Sequence, residues 1–232
     1  MALLDTEQYK RNYDNILNSI SDSYKEKVKI ISVSKSHPKE AMKRAYDSGL
    51  NVFGENYVQE MVEKYEWLDK ETKDNIEWHF IGHLQTNKVK YIAPFVNCIH
   101  SVYKLKLAKE ISKRAKQNDR TIEILLQVNT SREESKSGCN PKESLEIAKG
   151  IQELENVSLK GLMTISGLDS TDEERKKEFE LLNTIRKNIK NEFGLELNDM
   201  SMGMTSDYQL AIDQGSTMIR IGTAIFGERV YN

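Results

Sequence analysis

The chain has 232 residues, with 34 Lys plus Arg against 36 Asp plus Glu, a formal net charge of -2 and 38% hydrophobic residues. That balance lacks the basic excess of a nucleic-acid footprint, and no apolar run approaches the roughly 20 residues needed to span a bilayer. The two cysteines, Cys98 and Cys139, stand in neither CxxC nor CxxH spacing, which points to neither a disulfide framework nor a zinc site.

The N-terminus MALLDTEQYKRNYD has no basic region followed by an apolar one, so no secretory leader is read there and a cytoplasmic protein is expected. Within 5–23, Tyr9, Tyr13, Ile16, Leu17 and Ile20 recur three and four apart, the stripe of an amphipathic helix. Residues 28–33 are apolar and β-branched almost throughout, as a strand buried on both faces must be. Pro38 opens a helix that runs to Ser48, where Gly49 stops it. The alternation repeats with strands at 51–54, 77–81 and 98–102 and helices at 57–67, 86–93 and 104–117. The second half adds strands at 122–129, 159–165, 199–202 and 218–221, separated by helices at 142–154, 172–193 and 206–213.

Eight strands alternating with helices imply parallel pairing through crossovers. In 232 residues they predict a single α/β domain over 1–232, a closed (β/α)8 TIM barrel with an additional N-terminal helix. The competing architecture, an open doubly wound sheet, usually carries a glycine-rich phosphate loop after its first strand, and VSKSHP contains no glycine. The run DEERKKE at 172–178 reads as the solvated face of a helix.

In such a barrel the active face lies at the C-terminal ends of the strands. The polar residues expected there are Lys35, Asn56, His79, His83, Asn129, Ser166, Thr205, Ser206, Gly222 and Thr223. SMGMTSD at 201–207 precedes a helix and IGTAIFG at 221–227 follows a strand, so small and hydroxyl residues fall where backbone N–H groups are available for a phosphate. Strand eight adjoins strand one when the barrel closes, which makes Lys35 the neighbour of that phosphate. A lysine held in the barrel mouth loses its proton readily and condenses with an aldehyde. A phosphate beside a reactive amine suggests pyridoxal 5′-phosphate. His79 and His83 have the spacing of a helical metal pair, but Trp78, Phe80 and Ile81 place them on a strand, where the rings need not converge.

The segments VSKSHP, FGENYVQE, EWHFIGHLQTNK, QVNTSREESKSG, LKGLMTI, SMGMTSDYQLAI and GSTMIRIGTAIFGERVY resemble the YggS/PROSC family of pyridoxal phosphate homeostasis proteins, from about residue 30 to the C-terminus. The resemblance implies a barrel of the alanine racemase N-terminal domain type whose lysine after strand one, here Lys35, holds the cofactor as a Schiff base. It implies that Arg220 faces the pyridine nitrogen and keeps it unprotonated, which weakens the ring as an electron sink. It also assigns the phosphate to Thr205 or Ser206 with Gly222 and Thr223, and the ring to Asn56 and His79. Ser166 is expected at the strand-six end of the same mouth and Met204 beside the ligand. The loop residue Lys136 is either near the mouth or a solvated charge, and an ion pair of Arg220 with Glu55 or Asp207 is the structural alternative for that arginine.

Two functions follow. One is a carrier that buffers pyridoxal phosphate and delivers it to pyridoxal phosphate-dependent apoenzymes. The other is an amino-acid racemase or related enzyme. Racemases of this barrel type take an opposing tyrosine from a second β domain and a dimer partner, whereas this sequence ends just after strand eight. A monomeric, non-catalytic carrier is the expectation, and a phosphate-binding barrel that forms no Schiff base is the third reading.

Overall fold

The structure, a computed structural model, describes residues 3–131, 133 and 136–228. Its strands are β1 Lys29–Val33, β2 Val52–Glu55, β3 Glu77–Phe80, β4 Cys98–Val102, β5 Ile122–Gln127, β6 Val157–Met163, β7 Asp199–Met204 and β8 Met218–Ile221. They pair in chain order, all parallel, and β8 returns to β1 to close the expected (β/α)8 barrel. The helices are α1 Thr6–Ser19, α2 Asp22–Lys25, α3 Lys39–Asp47, α4 Val58–Trp67, α5 Lys70–Asn75, α6 Val89–Ile92, α7 Leu105–Gln117, α8 Ser144–Gln152, α9 Asp172–Phe193, α10 Tyr208–Asp213 and α11 Thr223–Phe226. Among the described residues no helix is long and apolar enough to cross a membrane.

Several boundaries differ from the sequence reading for local reasons. The N-terminal helix divides because Ile20 turns extended and buries itself against the barrel, leaving α2 as a separate turn. Helix α5 lacks an apolar stripe to announce it. It is set by its cap, as Asp69 accepts hydrogen bonds from the backbone N–H and hydroxyl of Thr72, both at 2.9 Å. Strand β5 stops at Gln127 because Val128 bridges to Cys139 instead. Strand β7 runs two residues past its expected end, to Met204.

Side chains alternate along each strand, so one set packs outward under the helices and the other fills the barrel. The outward set includes Phe53, Trp78, Phe80 and Ile99, all buried. Each contributes about 1.5–3 kcal/mol through removal from water. The inward apolar cluster comprises Ile31, Val33, Ile81, Cys98, Leu125, Met163 and Met218. Between these lie buried polar groups, His79, His100, Ser201 and Arg220, in a place where barrels usually stack branched apolar residues.

Candidate functional site

Lys35 sits two residues beyond β1, half-buried, between a buried Ser34 and an exposed Ser36. Ser36 has φ 61°, the left-handed region that costs an L-residue roughly 1 kcal/mol or more. The neighbouring elements hold that turn on both sides of Lys35. The Ser36 N–H donates to Glu60 Oε1 at 2.8 Å, the Ser34 hydroxyl donates to Glu55 Oε1 at 2.6 Å, and the Lys64 ammonium donates to the Ser34 carbonyl at 2.7 Å. Lys64 also pairs with Glu55 at 2.6 Å and Glu60 at 2.7 Å. Burial pushes the Glu55 carboxyl up to about 7 against the pull of Lys64. Sequence reasoning missed this triad, since none of its members lines the cavity.

The opposite wall is built by the turns after β7 and β8. Gly203 has φ 94°, and a Cβ there would meet the Ala211 methyl at 2.6 Å, so only glycine lets α10 pack this close to β7. Asp207 fixes the turn that follows: its Oδ1 accepts from the Met204 N–H at 2.6 Å and its Oδ2 from the Ser166 hydroxyl at 2.6 Å. Thr205 and Ser206 are thereby left exposed at the rim, beside Gly222 and Thr223 at the start of α11. Helices α10 and α11 span only six and four residues, so the anion site here depends on local N–H and hydroxyl groups more than on helix dipoles.

Arg220 faces this wall from β8 and is the pairing partner of Ile31 on β1. It is 5% exposed. Its Nη1 donates to Ser201 Oγ at 2.8 Å and its Nη2 to the Thr164 carbonyl at 2.9 Å. Both partners are neutral, so neither Glu55 nor Asp207 forms the ion pair weighed for it. Burial lowers its pKa to about 10, with Asp207 opposing the shift. The guanidinium is still cationic at neutral pH.

These groups converge on one cavity of about 460 Å³ at the C-terminal mouth, lined by Val33, Lys35, Asn56, Ile81, Ile165, Met204, Thr205, Ser206, Arg220, Gly222 and Thr223. Of the residues assigned to the cofactor from sequence and resemblance, Lys35, Asn56, Met204, Thr205, Ser206, Arg220, Gly222 and Thr223 are in that wall. Ser166 and His79 are not. Ser166 is buried behind it on Asp207. His79 lies deeper in the barrel, where its Nδ1 meets His100 Nε2 at 2.7 Å and its Nε2 meets Glu77 Oε1 at 2.9 Å. His83 lies three residues beyond the end of β3, off the strand expected to carry it, and bonds outward to Ser137 at 3.1 Å, so the two rings diverge. Lys136 is not in the cavity wall; it donates to the Ser166 carbonyl at 2.6 Å and pairs with Glu133 at 3.0 Å. Of the motifs named above, Arg132, Glu134, Ser135, Arg229, Val230 and Tyr231 lie outside the described residues.

Asn56 supplies a test of what the cavity accepts. Its Oδ1 is buried with no hydrogen-bond partner among the described residues, an arrangement that costs about 1–3 kcal/mol and suits a site completed by a ligand donor. The approach of the next loop is equally fixed, because a Cβ on Gly82 would fall 2.1 Å from the Asn56 carbonyl oxygen. The lining therefore combines an amine, a cationic donor, an unsatisfied acceptor and a hydroxyl-rich rim against an apolar floor of Val33, Ile81 and Ile165. That set fits a flat heteroaromatic aldehyde bearing a phosphate.

Fold and cavity together define a class: closed parallel (β/α)8 barrels with one lysine and one buried arginine lining a cavity at the mouth. Residues 4–230 match the alanine racemase N-terminal domain family. The pyridoxal phosphate homeostasis protein of Aquifex aeolicus is 44% identical over 204 residues, 88% of each chain. That of Escherichia coli is 37% identical, with 89% of this chain and 88% of the other covered. PipY of Synechococcus elongatus, solved with pyridoxal phosphate bound, superposes with a TM-score of 0.84 at 32% identity, over 94% of this chain and 100% of that one. Alanine racemase of Clostridium difficile superposes with a TM-score of 0.80 at 16% identity, over 99% of this chain and 59% of the racemase, and shares the fold. The chain belongs to the alanine racemase N-terminal domain family, and within it to the pyridoxal phosphate homeostasis proteins.

Proposed function

We propose that the protein binds pyridoxal 5′-phosphate in this cavity as one barrel domain, holds it reversibly as a Schiff base on Lys35, and buffers and delivers it to pyridoxal phosphate-dependent apoenzymes without turning over amino acids. The observation that carries the reading is the convergence of Lys35, Arg220 and the Thr205, Ser206, Gly222 and Thr223 rim on one cavity. Bound pyridoxal phosphate supplies an aldehyde that condenses with a neutral amine, and a phosphate that seeks N–H and hydroxyl donors. Lys35 would take the aldehyde, the rim the phosphate, and Arg220 the pyridine nitrogen. Asn56 would find a donor on the ring.

The carrier reading is favoured over a racemase by the cavity wall itself. Two-base racemisation needs an acid–base group on each face of the bound substrate. Among the described lining residues only Lys35 and Arg220 are ionisable, and a guanidinium is a poor base.

Borohydride reduction of the cofactor-loaded protein, followed by peptide mass spectrometry, tests the attachment. A pyridoxyl adduct on Lys35, lost in Lys35→Ala, is expected; an adduct confined to other lysines, or none, overturns it. A screen with the common amino acids separates carrier from enzyme, since rapid racemisation or decarboxylation of any of them contradicts the proposal.

A further inference from the structure

The buried polar groups inside the barrel form one continuous chain. Arg220 Nη1 lies 2.8 Å from Ser201 Oγ, Ser201 Oγ 2.9 Å from His100 Nδ1, His100 Nε2 2.7 Å from His79 Nδ1, and His79 Nε2 2.9 Å from Glu77 Oε1. Glu77 is the first residue of β3 and pairs at 2.6 Å with Lys29, the first residue of β1. Lys29 lines the cleft at the N-terminal end of the barrel. The chain thus crosses the barrel from the opposite end to the proposed cofactor site. His79 and His100 are fully buried, as is Ser201.

The direction of every bond follows from donor counting. A guanidinium only donates and a serine hydroxyl has one proton. Ser201 accepts from Arg220, and its other partner among the described residues is His100 Nδ1, so its proton points there. A neutral His100 then carries its hydrogen on Nε2 and donates to His79 Nδ1. His79 in turn carries its hydrogen on Nε2 and donates to Glu77. Burial pulls the His100 imidazole well below its ordinary pKa, with His79 and Arg220 adding to the effect, which keeps the ring neutral. The Cys98 thiol beside these rings is pushed far up by burial and stays protonated.

We infer that Ser201, His100 and His79 are positioning residues that lock the guanidinium of Arg220 and join it, through a one-way chain of hydrogen bonds, to the carboxylate of Glu77. The physical need is plain. Arg220 is a buried cation whose direct partners among the described residues are a hydroxyl and a carbonyl, with Asp207 acting on it without an ion pair, and a buried charge so incompletely compensated is costly. A chain of aligned donors polarises cooperatively, so the anion at its far end stabilises the cation at its near end. As the inference deepens the proposed function, Arg220 would present its remaining N–H groups to the pyridine nitrogen with a donor strength that Glu77 tunes.

Two measurements test it, the first without any cofactor. Long-range proton–nitrogen correlation spectra of cofactor-free protein labelled with 15N-histidine are expected to show His79 and His100 both as the Nε2–H tautomer at neutral pH. A ring protonated on Nδ1, or on both nitrogens, overturns the chain. The second uses holo-protein loaded with pyridoxal phosphate labelled with 15N in the ring. Ser201→Ala and the remote Glu77→Gln are both expected to shift the pyridine nitrogen resonance in the same direction, Ser201→Ala more. A resonance unchanged from wild type in folded Ser201→Ala or Glu77→Gln overturns the coupling. Glu77 is partly exposed, so its variant gives an answer even where the buried serine variant does not fold. Failure of the wild-type protein to take up the cofactor would sink the proposed function and leave the tautomer result standing.

Discussion

The ammonium of Lys64 lies 2.7 Å from the carbonyl oxygen of Ser34, the residue before Lys35, so one buried lysine fixes the backbone that aims another into the cavity. Lys64 has 3% of its side chain exposed and Glu55 none. The left-handed turn at Ser36, on the other side of Lys35, is held by Glu60, which Lys64 also grips.

Replacing Lys64 removes one partner from a buried pair, which typically costs about 3–5 kcal/mol. Lys64→Met is therefore expected to lower the urea midpoint sharply. Glu60→Gln retains an acceptor oxygen for the Ser36 N–H but loses charge, and should leave the unfolding midpoint nearly unchanged while speeding cofactor release several-fold. Stability curves and stopped-flow release into a trap distinguish the two effects. Equal release from Glu60→Gln and wild type would contradict the clamp.

Asp207 ties the strand-seven turn to the strand-six loop through both carboxylate oxygens. Asp207→Asn replaces one acceptor oxygen with an NH2 group, leaving either the Met204 N–H or the Ser166 hydroxyl without its acceptor. A loss of about 1–3 kcal/mol is expected, together with weaker inorganic phosphate binding by calorimetry, because Thr205 and Ser206 lose their support. Unaltered phosphate affinity in the variant would place the anion elsewhere.

Glu77 supplies a pH dependence. The hydrogen bond from His79, followed by that from Lys29, outweighs burial and holds its carboxyl near 2, below its ordinary 4.5. A depressed carboxyl favours the fold when ionised, so its contribution is complete above pH 4.5 and disappears as the pH falls from 4.5 towards 2. The side chain is 32% exposed, and after solvent screening the contribution is about 2 kcal/mol. The stability gap between wild type and Glu77→Gln, followed by chemical denaturation from pH 6 to pH 3, is expected to narrow over that window. A gap independent of pH would refute the assignment.

Cys98 and Cys139 are both buried, and burial raises the first thiol well above its ordinary pKa and the second to about 12. Since the thiolate is the nucleophile, neither should react with iodoacetamide at pH 8 in the folded protein, and both should react in urea. Mass spectrometry after a brief pulse reads the difference; modification of native protein at either site would contradict it.

Periodicity carried most of the fold, because strands buried on both faces leave continuous apolar runs and covering helices leave stripes. It failed where structure rests on something other than an apolar pattern. Helix α5, KETKDN, is held by the Asp69 cap and has no stripe. The early end of β5 depends on a bridge from Val128 to Cys139, whose partner is eleven residues away in the chain.

For the site, the sequence by itself determined the chemistry at the mouth: Lys35 after strand one, Arg220 on strand eight, and the hydroxyl and glycine residues after strands seven and eight. Lys35 and the rim residues could be read because a strand end in a barrel points to one face whatever the details of packing, whereas Arg220, inside β8, stood out only through the family resemblance. Only the tertiary structure decided which strand residues reach the cavity and which turn inward. His79, expected at the ring, faces His100 and Glu77 because inward side chains of the neighbouring strands β3 and β4 meet inside the barrel, away from the mouth. Lys64, His100 and Ser201 gave no local signal, since their roles arise from partners 30, 21 and 19 positions away, Ser34, His79 and Arg220. Contacts of that kind are set by barrel closure and register, which no short stretch of sequence contains.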